Sequence, residues 1–153
     1  MNTRSFLLSI LIAGLVIGFL GNLPVLNLIN CAFCIWVWIG GGLAVVFYRR
    51  FQHGGPGPTS GQGAALGAVS GLVGALVGAL VFLATSWLSV PLFNNMARAL
   101  QIEGDLPFQT GTFWNYVGTA LVFLVLDALL YPLFGALGGL IAANLGKEPQ
   151  PNA

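Results

Sequence analysis

Residues 61–90 read GQGAALGAVSGLVGALVGALVFLATSWLSV, thirty residues without a formal charge. A helix crossing a bilayer needs about 20 apolar residues, so the stretch predicts one long transmembrane helix over about residues 62–90. Thr59 and Gln62 stand in capping-box spacing at its start, and Pro91 supplies a stop. Within it Gly63, Gly67, Gly71, Gly74 and Gly78 recur at spacings of 4, 4, 3 and 4. At 100° per residue they share an arc of roughly 80°. Lipid tails are as apolar as the helices, so helices in a bilayer associate through close packing, and a glycine stripe lets two backbones approach.

The rest of the chain has the same character. It is 57% hydrophobic and 6% charged over 153 residues, whereas a soluble domain carries about 25% charge. Residues 5–48 hold no charge at all. Asn22, Pro24, Asn27 and Asn30 break that run into two helices, about 5–22 and 31–48. A fourth apolar run covers about 114–146, with Asp127 and Pro132 inside it. The expected fold is therefore all-α: a single polytopic membrane domain with four transmembrane helices, a loop at 49–61 and an outer segment at 91–113. Leu92, Phe93, Met96 and Leu100 fall on one face of that segment, which predicts a short interfacial helix between the third and fourth spans. Gly14, Gly18 and Gly21, Gly40 to Gly42, and Gly135 with Gly139 offer further close contacts, inside one bundle or in a homo-oligomer.

Four crossings place Arg4, Arg49, Arg50 and Lys147 on one side and Arg98 alone on the other. The bias of Lys and Arg toward cytoplasmic loops then puts both termini and the 49–61 loop inside, in the cytoplasmic (inner) membrane. Trp36, Trp38, Trp87, Phe113, Trp114 and Tyr116 would mark the outer boundary. Residues 5–20 are too long for a usual signal core and lack an A-x-A-like site, so the first helix is read as retained. The formal net charge of +1 gives no field for nucleic acid, which leaves the bilayer, a membrane-protein partner or a second copy as partners.

Cys31-Ala32-Phe33-Cys34 opens the second helix on the outer side, with Asn30 as its expected N-cap. A thiol in a first helical turn has its thiolate stabilised, and CxxC spacing allows a local disulfide. The plainer reading makes both cysteines small packing residues. Two cysteines and a lone His53 across the membrane do not make a zinc site, so no metal or cofactor is expected. A CxxC opening the second of four helices resembles the quinone-coupled disulfide-generating membrane oxidases. That family has a second cysteine pair in the outer loop and a cation just after the CxxC. Here no cysteine lies between 91 and 113, and Trp36, Val37 and Trp38 follow the pair, so relay through two disulfides is impossible within one chain. A second likeness covers roughly residues 26–80. Asn30-Cys31…Cys34, Gly41-Gly42-Leu43-Ala44…Tyr48-Arg49-Arg50 and Gly61-Gln62-Gly63-Ala64 resemble uncharacterised small bacterial four-helix membrane proteins, which implies a membrane location.

Asp127 is the one ionisable residue expected at membrane depth, about 13 positions in from Trp114. A charge at a helix centre costs about 2.5–3.5 kcal/mol on insertion scales, so Asp127 should be neutral or paired. It shares a face with Tyr131 and should look into the bundle, bonding to backbone near Gly40 to Gly42 or to a carbonyl freed by Pro132. The sequence has no phosphate-loop pattern, a single histidine and no paired carboxylates in an expected helix, which argues against metal-dependent or acid–base hydrolysis. The first expectation for function is thus a non-catalytic structural or accessory membrane protein. A small proton- or cation-coupled carrier using Asp127 comes second, and a thiol–disulfide protein using Cys31 and Cys34 third.

Overall fold

A computed structural model describes residues 3–22, 34–52, 57–99 and 113–145. They form four α-helices: α1 (Thr3–Asn22), α2 (Ile35–Phe51), α3 (Ser60–Ala99) and α4 (Phe113–Leu145). Three of them, α1, α3 and α4, are long and apolar enough to cross a membrane. The 17 residues of α2 reach about 26 Å at 1.5 Å per residue, short of the ~30 Å hydrocarbon thickness.

Two boundaries differ from expectation. Pro91 does not stop α3, which continues to Ala99 with the proline inside it. The segment read as a separate interfacial helix is therefore, from Leu92 to Ala99, the end of α3; residues 100–103 lie outside the described residues. A proline removes one N–H and crowds one carbonyl, a cost of about 3 kcal/mol. The flanking turns keep their own hydrogen bonds. The second helix begins at Ile35, not Cys31, because Cys34 has φ 49°, in the left-handed region, and serves as its N-cap. Asn30 and Cys31 lie outside the described residues. At the other end α2 runs past residue 48 to Phe51, which brings Arg49 and Arg50 into its last turn, where cations favour the helix dipole.

Around the bundle the order is α1, α2, α4, α3; α2 also reaches α3 across one diagonal, while α1 and α4 occupy the other. Contacts fix the directions. Gly14 meets Ser70 and Val73, Gly18 meets Gly74 and Val77, and Gly78 meets Asn22, so α1 and α3 run parallel. Trp38 stacks on Phe134, Gly42 lies near Ala142, and the Arg49 Nη2 donates to the Ala143 carbonyl at 3.0 Å, so α2 and α4 also run parallel. Gly63 on Gly139, Gly67 on Gly135 and Gly71 on Tyr131 set α3 antiparallel to α4. Ser5 Oγ donates to the Phe51 carbonyl at 3.2 Å, and Ile17 covers Gly40, which sets α1 antiparallel to α2. The chain thus goes up, down, up and down.

Two apolar clusters fill the centre. One holds Ile10, Ala13, Ala44, Val45, Tyr48, Leu66 and Ala143, the other Ile17, Val37, Ala75 and Tyr131. Outward, Leu11, Phe19, Leu76, Leu80, Leu129 and Leu133 are about half exposed or more. A soluble protein seldom leaves apolar faces of this extent open to water; lipid is the solvent they fit.

Candidate functional site

Asp127 and Tyr131 lie one turn apart on α4, and the Tyr131 hydroxyl donates a hydrogen bond to the Asp127 carboxyl. The partner expected from sequence was backbone near Gly40 to Gly42 or next to Pro132. Two of those glycines are taken: Ile17 closes over Gly40, and the Gly135 carbonyl lies on Gly41. Tyr131 is 4% exposed and belongs to the second apolar cluster together with Ile17 of α1, Val37 of α2 and Ala75 of α3. That cluster draws a residue from each of the four helices. Asp127 itself is only partly buried, so the hydroxyl bridges the core to a more open carboxyl.

Cys34 packs against the same cluster. Its backbone, at φ 49°, starts α2, and its side chain is half-buried against the second apolar cluster. It therefore caps the helix instead of occupying its first turn, a position still at the helix N-terminus. The pairing of Cys31 with Cys34 lies outside the described residues.

The five stripe glycines do not all serve one neighbour. Gly63, Gly67 and Gly71 meet α4, whereas Gly74 and Gly78 meet α1. An added Cβ at Gly63 would lie 2.5 Å from Ala143 Cβ, and one at Gly74 would lie 2.6 Å from Ile17 Cγ2. The stripe is narrow on its own helix, yet α3 crosses from one partner to the other along its length. Gly135 and Gly139 present the complementary surface, their own added Cβ atoms running into the backbone of Gly67 and Gly63.

Hydroxyl groups contribute little between helices. Ser9 bonds to the Ser5 and Phe6 carbonyls, Ser70 to Gly67, Thr85 to Val81 and Ser86 to Leu83, each within its own helix. Interhelical polar contacts gather at one end instead, where Ser5 meets Phe51, Arg49 meets Ala143, and Ser60 meets Asn144 at 2.6 Å. The Thr59–Gln62 capping box forms at this end too, with Thr59 N–H donating to Gln62 Oε1 and Gln62 N–H to Thr59 Oγ1.

Two buried polar atoms that the sequence did not single out have no hydrogen-bond partner, Trp36 Nε1 and Gln52 Oε1. Trp36 follows Cys34 by two residues, near the Tyr131 level. Nothing in the sequence marks an indole as unpaired, since Trp at a helix end is also what a membrane interface selects. Among the described residues no three of His, Cys, Asp and Glu come together as a metal site. No family model matches this chain, and no curated protein or solved structure is similar to it at a significant level.

Proposed function

We propose that this chain is a small multi-pass protein of the cytoplasmic membrane, crossing it four times with both termini inside, and that it works as a structural or accessory component without catalysis. The observation that carries this reading is the economy of polar groups. Glycine-to-backbone contacts join the helices, the buried hydroxyls of Ser9, Ser70 and Ser86 bond to carbonyls of their own helices, and the outward faces are apolar. A conducting path needs polar lining along its length. The clustering of Arg4, Arg49 and Arg50 at one end of the up-and-down bundle supports the inward assignment of that end. Of the three long helices α4 is the least covered, which leaves its outer face for lipid or a membrane-embedded partner.

Reporter fusions after Gln52 and after Ala153 test the topology; both should report a cytoplasmic location, and an outward signal from either overturns it. Purification in mild detergent tests the role, with a stoichiometric membrane-protein partner or second copy expected. In proteoliposomes a proton or cation flux that Asp127→Asn abolishes would replace the accessory reading with a carrier.

A further inference from the structure

The end of the bundle where α1 begins and α2 stops carries Arg4, Arg49 and Arg50. Among the described residues it carries no Asp or Glu. Asp127 stands 16 residues before Ala143, the residue that Arg49 reaches, which is about 24 Å along α4. The three arginines do not share one task. Arg49 is half-buried and donates to the Ala143 carbonyl at 3.0 Å, so it is committed to joining α2 to α4. Arg4 and Arg50 are exposed. Each directly precedes a residue of the contact that closes this end of the α1–α2 seam, where Ser5 Oγ donates to the Phe51 carbonyl at 3.2 Å. Helices in contact lie about 8–10 Å apart, so two long side chains flanking one seam can reach the same small anion. A guanidinium has five N–H donors and pairs with phosphate through two of them, so a bond made elsewhere leaves donors for it.

An apolar flank runs along the bundle from each arginine. On α1, Leu7, Leu8, Leu11 and Leu15 are about half exposed, and on α2 so are Val46 and Ile39. From Arg4 to Leu15 is about 16 Å, close to half of a ~30 Å hydrocarbon core. A dissolved anion would need the cations alone. Exposed cations at the end of the bundle, with apolar surface beneath them for the depth of one leaflet, match an amphiphile. We infer that Arg4 and Arg50 form a site for the phosphate of an anionic phospholipid, whose acyl chains lie along the outer side of the α1–α2 seam. A zwitterionic headgroup would bring an ammonium as well, and the described residues at this end offer it no carboxylate.

The site rests on the membrane reading above, and the test separates the two. The natural chain, Arg4→Gln, Arg50→Gln, the double variant and Arg98→Gln are purified in mild detergent. Each is offered phosphatidylglycerol and phosphatidylcholine of matched chains in equal amounts, and native mass spectrometry counts the lipid retained. The natural chain should retain phosphatidylglycerol in preference. Loss of either arginine should cut that preference about fivefold, the change expected for one basic residue at an anionic surface. The double variant should lose more, and Arg98→Gln, in the last turn of α3, should keep the natural preference. Equal retention of the two lipids by the natural chain overturns the site, whether or not the variants fold. An equal loss in Arg98→Gln overturns it too, since net charge alone would then explain the preference. Millimolar inorganic phosphate should displace no more lipid than chloride of the same ionic strength; full displacement would mean a site for dissolved phosphate and refute the lipid. Flotation with phosphatidylcholine vesicles checks the membrane reading by itself. A chain that stays behind when the vesicles float overturns both, and one that floats without any lipid preference loses only this site.

Discussion

At the scale of the residue, Tyr131 combines two roles with different energies. Its ring is buried in a cluster drawn from four helices, and its hydroxyl holds the Asp127 carboxyl. Tyr131→Phe removes only the hydrogen bond, whose net contribution is typically about 0.5–1.5 kcal/mol. Tyr131→Ala leaves a cavity, and truncating a buried aromatic costs about 3–5 kcal/mol. The phenylalanine variant should therefore melt in detergent close to the wild type and the alanine variant far below it. Equal losses would mean that the hydroxyl, not the ring, anchors the site. Trp36 gives an opposite expectation. Its Nε1 is buried without a partner, and an unmet buried donor costs about 1–3 kcal/mol. Trp36→Phe keeps most of the aromatic area and deletes that donor, so its melting temperature should hold or rise. A fall of several degrees would reveal a ligand or lipid that the indole normally bonds.

Elements are joined here mainly by what glycine lacks. Gly67 and Gly135 each put an absent Cβ against the other's backbone, and Gly41 adds α2 to the same spot. Gly67→Leu must push α3 off α4 and should lose the folded protein during extraction or heating. Gly118→Leu sits in open space and should express and melt like the wild type. Equal tolerance of both would mean that α3 and α4 do not pack through this stripe. Sequence periodicity showed that the glycines share a face of α3 but not that the face divides between two neighbours. That division depends on crossing geometry, which spacing along one helix does not encode. The expected stop at Pro91 failed for a related reason. A single proline costs one helical hydrogen bond locally, and whether a long helix absorbs it depends on the turns on both sides.

The whole molecule is tied most firmly at one end, where the first residues of α1 and α3 meet the last of α2 and α4. Arg49 is the strongest tie, a charged donor from the last turn of α2 to the last turn of α4, and hydrogen bonds to charged groups contribute about 1.5–3 kcal/mol. Arg49→Ala should lower thermal stability clearly, while the exposed Arg50 should tolerate the same change. If both variants melt alike, Arg49 acts only as a surface charge. The opposite end is built differently, because α3 and α4 continue beyond the end of α1 and the start of α2. The aromatic residues read as one outer belt consequently occupy two heights, with Trp36 and Trp38 at the start of α2 and Trp114 at the far tip of α4.

The sequence by itself determined that the chain is helical and apolar, where three of its four helices fall to within a few residues at most ends, and that Asp127 and Tyr131 share a face. These are matters of composition and of 3.6-residue periodicity, which act along one helix at a time. It also marked the glycines at which backbones would touch. Only the tertiary structure decided which backbones those are, that α1 lies parallel to α3 and α2 to α4, and that Tyr131 rather than the Gly40 to Gly42 backbone receives Asp127. Each of these is set by the faces that neighbouring helices present to one another, which the spacing of residues along a single helix does not contain.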